Sequence, residues 1–189
     1  IEWAPQLVHC NDWHTGLAPA YLHFAEAAQV RSVFTIHNIA FQGLFPREAL
    51  AQLALPARAF AIDGVEYHGK LSFLKAGIQY ADALTTVSPT HAREIQSEEL
   101  GFGLGGLLRQ RAPLLSGILN GLDTELWNPA TDVHLARRYD SATLEAKAAN
   151  KSALQQRLEL AVNDAMPLLG VVSRLTPQKG LDLLLAAAR

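Results

Sequence analysis

Short apolar runs alternate along the chain with longer helical patterns, the arrangement of βα units around a parallel sheet. Leu7–His9 reads as a buried strand, followed by a helix from about Thr15 to Ala28. Val33–His37 is a clearer strand, rich in β-branched and aromatic residues. Asn38–Phe45 reads as a loop, and Pro46 suits the first turn of a helix running through Leu53. Asp63–Lys70, with Gly64 and Gly69, reads as an excursion. Ser72–Ala81 is expected to be helical, Leu84–Val87 a strand, and Thr90–Leu100 a helix with Ser88 as its N-cap. Leu114–Leu119 holds another short strand. After a turn at Trp127-Asn128-Pro129, a polar stretch leads into a helix from roughly Ala142 to Leu160. Leu168–Val172 is a continuous apolar run that reads as a strand, and Leu181 opens a final helix.

Polar residues gather just after the strands: Asn11 and Asp12, His37 and Asn38, Ser88, Asn120, Arg174. In an open parallel α/β sheet, ligands bind at the carboxyl ends of the strands, so these positions mark a candidate site.

Composition narrows the possibilities. Ala and Leu together make up about a third of the 189 residues, enough apolar surface for a core and far from the sparse-apolar signature of disorder. The longest wholly aliphatic run, Leu183–Ala188, is far short of the ~20 residues a spanning helix needs. Sixteen basic against 18 acidic residues leave a net charge of −2, without the basic excess that nucleic-acid binding requires. Cys10 is the only cysteine, which excludes an intramolecular disulfide and a Cys-rich zinc site and fits a reducing, cytoplasmic setting. A chain that opens on Ile1 and whose only methionine is Met166 is expected either to have a processed N-terminus or to be the start of a fragment.

The strongest local chemistry is Val171–Gly180. A buried strand leads to Arg174, and five residues later Lys179 precedes Gly180 at the mouth of a helix. Helix N-termini attract anions, Arg grips phosphate oxygens bidentately and Lys adds a point charge, so the pair suits a diphosphate. Two solvated loop residues would give the same local pattern. Gly101-x-Gly103-x-x-Gly106 matches a dinucleotide fingerprint in form only, because Glu94–Leu100 before it is charged and helix-like rather than a strand. Six of seven histidines precede residue 92, but His9 and His14 lack the helical spacing of a zinc pair, and a sugar or phosphate site uses the same residue types without metal. No metal is expected. Ser88-Pro89 lacks the glycines of a nucleophile elbow, and Cys10 at the end of a buried strand reads as packing. Trp13 and Phe41 suit either sugar stacking or core packing; for Trp127, beside a proline turn, packing is favoured.

Five segments together resemble one family. His9–Leu17 (HCNDWHTGL), Phe34–Gly43 (FTIHNIAFQG), Ser88–Ile95, Ile118–Asp123 with Trp127-Asn128-Pro129, and Val172–Gly180 are similar to bacterial glycogen synthases and plant starch synthases, in order along essentially the whole chain. The resemblance implies an α/β fold of GT-B type: two Rossmann-like domains with parallel sheets, facing a cleft that holds the nucleotide sugar. Both would be incomplete here, with residues 1–115 the later part of the first domain and 116–189 the crossover and start of the second.

The implied reaction moves glucose from ADP-glucose to the non-reducing end of an α-1,4-glucan such as glycogen, with retention and with no cofactor or metal. Arg174 and Lys179, with Gly180, match the diphosphate-holding pair. His37 matches the histidine whose main-chain carbonyl supports the oxocarbenium-like transition state. Asp12 matches an acidic residue near sugar and acceptor; Asn120, Asn38 and Trp13 match substrate-binding positions. The family's Lys-x-Gly-Gly-Leu loop and Glu-Pro-Cys-Gly segment are absent, so the chain alone is expected to be inactive. Asn11 stands where the family commonly has His. No pair of carboxylates of the hydrolase type can be assembled. A UDP-glucose-dependent GT-B enzyme and a non-catalytic glucan- or nucleotide-binding relative remain as alternatives.

Overall fold

The structure, a computed structural model, describes residues 5–25 and 29–187. The chain divides into two compact units, Ile1–Gly121 and Leu122–Arg189.

In the first unit the elements in chain order are β1 (Leu7–Asn11), α1 (Leu17–Phe24), β2 (Arg31–Ile36), β3 (Leu44–Pro46), α2 (Ala49–Gln52), β4 (Glu66–Tyr67), β5 (Lys70–Ser72), α3 (Phe73–Tyr80), β6 (Ala83–Thr86), α4 (Pro89–Glu94), α5 (Gly105–Gln110) and β7 (Leu115–Gly117). Strands β1-β2-β6-β7 form a parallel sheet in that order, and β3-β5-β4 a small antiparallel one. The parallel order advances in one direction, so right-handed crossovers place the connecting helices on one face. There Cys10, Phe34, Ile36 and Leu84 from the strands meet Leu74, Ile78, Ile95, Leu104 and Leu108. A second cluster, Leu17, Ala20, Leu55, Ala59, Val65, Leu71 and Ala76, joins α1 and α3 to the small sheet. The opposite face of the parallel sheet carries a polar row, with His9 Nε2 2.7 Å from Thr35 Oγ1 and Thr35 Oγ1 2.6 Å from Thr85 Oγ1.

Helix boundaries follow local chemistry. Ser72 and Ser88 cap α3 and α4, accepting from the amides of Lys75 and His91 at 3.1 and 2.9 Å, the second as expected from sequence. Helix α1 is shorter than Thr15–Ala28: Trp13–Thr15 forms a 3₁₀ turn in which the Thr15 hydroxyl bonds back to Asn11 O, and Ala28 lies outside the described residues. Pro46 ends β3 instead of opening a helix, since a residue before proline is pushed to extended backbone and an edge strand tolerates the missing N–H. The helix after it is Ala49–Gln52. Helix α4 stops at Glu94 rather than Leu100, where the Ser97 hydroxyl takes Glu94 O and receives the Leu100 amide.

The second unit has a 3₁₀ turn at Leu144–Ala146 running into α6 (Lys147–Arg157), then a 3₁₀ turn at Pro177–Lys179 before α7 (Leu181–Ala187). Helix α6 falls short of Leu160 because Glu159 turns to φ 55°. The strand expected at Leu168–Val172 does not form. A strand needs a ladder partner, and among the described residues of this unit no other strand exists to supply one; Leu169 and Val172 stay exposed.

Asp82 ties the start of β2 to β6. Its Oδ1 accepts from Arg31 at 2.8 Å, its Oδ2 from the Ser32 amide at 2.8 Å and the Ser32 hydroxyl at 3.1 Å. Burial pushes its carboxyl up, but the bonds from Arg31 and Ser32 outweigh that and hold it below the usual carboxylate range. Stability from a depressed carboxyl is present above the unfolded-state pKa, about 4, and is lost as pH falls through the folded value. Asp82→Asn is therefore expected to lower the urea midpoint at pH 7, and the gap from the parent should close as pH drops below about 4. A gap independent of pH would remove the carboxylate from this role.

Candidate active site

The parallel pairing of β1 with β2 sets Asn11 opposite Thr35, and the Asp12 amide continues the ladder by donating to Thr35 O at 2.9 Å. Asp12 and His37 therefore leave adjacent strands side by side. The Asp12 carboxylate uses this proximity: its Oδ1 accepts from the His37 amide at 2.8 Å and from the Asn38 amide at 3.3 Å. Such charge-assisted bonds fix the main chain at the end of β2. The His37 ring turns back to β1 and donates from Nε2 to Asn11 Oδ1 at 3.0 Å. Asn11, whose role the sequence left open, thus orients that imidazole.

Asp12 adopts φ 57°, ψ 175°, a region essentially reserved for glycine. The Thr15 hydroxyl, bonded to Asn11 O at 2.8 Å and Asp12 O at 3.2 Å, braces this turn from the 3₁₀ side. Asn38 folds its side chain locally, Oδ1 accepting from the Ala40 amide at 3.0 Å, which starts the loop to Gly43. Trp13 is half-buried, stacked on His14 and packed near Phe45 and Phe73. Gly43, at φ +57°, lies against its indole; a Cβ there would fall 2.2 Å from the ring. Beside this indole a cavity of about 490 Å³ is lined by Trp13, Phe41, Gln42, Tyr67 and Phe102 among others. Phe41 and Phe102 are half exposed, at 55% and 50%.

The other residues singled out from sequence belong to other segments of the chain. Asn120 is exposed after β7, near the end of the first unit. Arg174 and Lys179 are exposed in the second unit and make no side-chain hydrogen bond or ion pair among the described residues. The amide of Thr176 closes on Arg174 O and that of Lys179 on Thr176 O, both at 2.9 Å, and Gly180, at φ +65°, leads into α7. Gly101–Gly106 follows a turn rather than a strand, as its charged approach implied, and α5 begins at Gly105. The histidines do not converge: His9 pairs with Thr35, His14 with Trp13 and His37 with Asn11. Among the described residues no three His, Cys, Asp or Glu side chains stand in a metal-binding group. Cys10 is buried in the core, and burial pushes its thiol up. Trp127 is 69% exposed, so it packs no core. Sequence reasoning gave no role to Thr15, Gln42 or Tyr67; the first two lie within the motif segments, while Tyr67 carries no local signal at all.

Residues 1–110 match the family model described as starch synthase catalytic domain. The glycogen synthase of Dechloromonas aromatica (strain RCB) is 60% identical over 188 residues, and that of Nitrosomonas eutropha 56% identical over 188. In both cases all of this chain aligns with 38% of the relative, so the chain spans little more than a third of their length. Among solved structures, the catalytic domain of starch synthase IV from Arabidopsis thaliana bound to ADP and acarbose matches with a TM-score of 0.85 at 34% identity, over 97% of this chain and 39% of that one.

The backbone of Asp12 carries a measurable signature. Glycine and alanine at this position both lose the two bonds to the His37 and Asn38 amides, but only glycine releases the strain. Asp12→Gly is therefore expected to be more stable than Asp12→Ala by about 1–3 kcal/mol in thermal or urea melts. Equal stabilities would show that the turn holds no strain.

Proposed function

Because the chain belongs to the starch synthase catalytic domain family, we propose that the full-length protein transfers glucose from ADP-glucose to the non-reducing end of an α-1,4-glucan with retention of configuration. The observation that carries this reading is the Asp12 carboxylate bonded to the two successive amides of His37 and Asn38. An oxocarbenium-like sugar develops positive charge as the diphosphate leaves, and a fixed main-chain carbonyl is a preorganised dipole for it. In this reading the His37 carbonyl supplies that dipole. Asp12 acts through it as a positioning residue, and Asn11 does the same for the ring. Arg174 and Lys179 hold the departing diphosphate, their cationic ends offering one bidentate fork and one point charge. Gly180 lets the backbone turn into α7 beside them. Asn38 and Asn120 contribute polar contacts to donor and acceptor.

The glucan is assigned to the cavity beside Trp13. Rigid aromatic faces at Phe41 and Phe102, both half exposed there, suit the apolar faces of sugar rings. The ADP held by the starch synthase IV structure supports an adenine nucleotide donor. No carboxylate pair is needed as nucleophile and acid, and a buried thiol fits a reducing cytoplasm. Among the described residues no helix is long and apolar enough to cross a membrane.

The full-length protein should extend glycogen from ADP-glucose and should do so much more slowly from UDP-glucose. Incorporation of labelled glucose measures both. Equal or faster use of UDP-glucose would overturn the donor assignment, and no incorporation from either would overturn the reaction. In the same protein Arg174→Ala is expected to lower kcat/KM by an amount equivalent to about 2–4 kcal/mol, as for loss of a contact that strengthens in the transition state. A change below about threefold would remove Arg174 from the diphosphate site.

A further inference from the structure

The loop from Asn38 to Gly43 is fixed along its main chain. Gln42 O accepts from the Leu74 amide and the Ser72 hydroxyl, both at 3.1 Å, and Gly43 O accepts from the Phe73 amide at 3.1 Å. These bonds leave the Gln42 side chain in a set position, 9% exposed, where its Nε2 donates to Phe102 O at 2.7 Å. The same oxygen accepts a second bond, from the Tyr67 hydroxyl at 2.8 Å. Both of its lone pairs are therefore used.

The geometry around this oxygen is specific. Phe102 sits at φ 47° and Gly103 at φ 79°, which turns the carbonyl toward its two donors. Gly103 must be small as well as left-handed, because a Cβ would lie 2.2 Å from Tyr67 Oη. Tyr67 is held in turn from below: Lys75, buried in α3, donates to Ile62 O at 2.6 Å and to Glu66 O, the residue next to Tyr67. Three segments distant in sequence thus meet at one carbonyl. The residue that owns it, Phe102, presents a half-exposed ring to the same cavity as Phe41. One further feature singles out Gln42: its Oε1 is buried with no partner among the described residues. An orphaned acceptor of this kind is unfavourable, so the side chain is kept in place by what its amide nitrogen does.

We infer that Tyr67 and Gln42 are positioning residues for the glucan, holding the Phe102 ring in the acceptor cavity through their shared acceptor, the Phe102 main-chain carbonyl. This rests on the acceptor assignment above. Either donor alone still satisfies the carbonyl, and losing both leaves it bare while freeing the glycine turn. The two residues are therefore coupled more than additively.

The test uses Tyr67→Phe, Gln42→Met and the double variant in the full-length protein. Phenylalanine keeps the ring of Tyr67, and methionine keeps the volume of Gln42 while removing its orphaned oxygen. Each single variant is expected to raise KM for glycogen by less than about twofold, and the double variant by more than about tenfold, with kcat and KM for ADP-glucose within about twofold of the parent. Hydrogen exchange at the Leu104 amide, bonded to Gly101 O at 2.8 Å, should quicken by more than about tenfold in the double variant. Parallel changes in both KM values and kcat, or unchanged exchange in the double variant, would overturn the inference. If the parent transfers no glucose, the reaction assignment fails separately. Calorimetric titration with maltoheptaose then decides the inference: weaker binding by the double variant supports it, and equal binding refutes it.

Discussion

The register of β1 on β2 is the constraint from which the site follows. Five residue pairs from Leu7↔Arg31 to Asn11↔Thr35 fix where the two strands end, and that places Asp12 within reach of two amides beyond β2. A slip of one residue would turn Cys10 and Phe34 out of the core and carry the carboxylate away from its partners. The apolar face and the polar edge are thus specified by the same pairing. The strain at Asp12 is tolerated because the ladder bond to Thr35 O, the Thr15 brace and the two amide contacts all act on one turn.

The rest of the first unit supports that edge in layers. The core against Phe34 and Ile36 holds the strands, and the second cluster around Leu71 holds the small antiparallel sheet. That sheet is the support for the aromatic wall. Lys75, an ion in an apolar helix face, is oriented by carbonyls rather than by a salt bridge. Burial lowers its ammonium, while Glu66 and Asp63 oppose the shift. A charged side chain used in this way locks the segment bearing Tyr67 more firmly than an apolar contact would, because its direction is fixed.

How much of this was legible in the sequence differs by element. The strands at Val33–His37 and Leu84–Val87 announced themselves through β-branched and aromatic runs, and Ser88 through its capping chemistry. Asp12 stood out as a polar residue just beyond the Leu7–His9 run, and His37 and Asn38 as polar residues at and beyond the end of Val33–His37. Resemblance added roles to them that spacing alone does not carry. Pro46 misled because its fit to a helix start competes with its effect on Phe45, and only the partner strand at Lys70–Leu71 decides between them. Leu168–Val172 has the composition of a strand, yet strand formation is a property of pairs, and composition says nothing about the neighbour. The Phe102 carbonyl was invisible for a related reason. Main-chain acceptors carry no sequence signature, and the donors come from positions 35 and 60 residues away.

That unpaired run has a consequence for how the second unit reaches its structure. Leu168, Leu169, Val171 and Val172 form an apolar run whose main-chain groups join no ladder among the described residues. Such a segment is a template for any edge it meets, including the same segment of another molecule. Pairing within the chain and pairing between molecules would compete for the same main-chain groups.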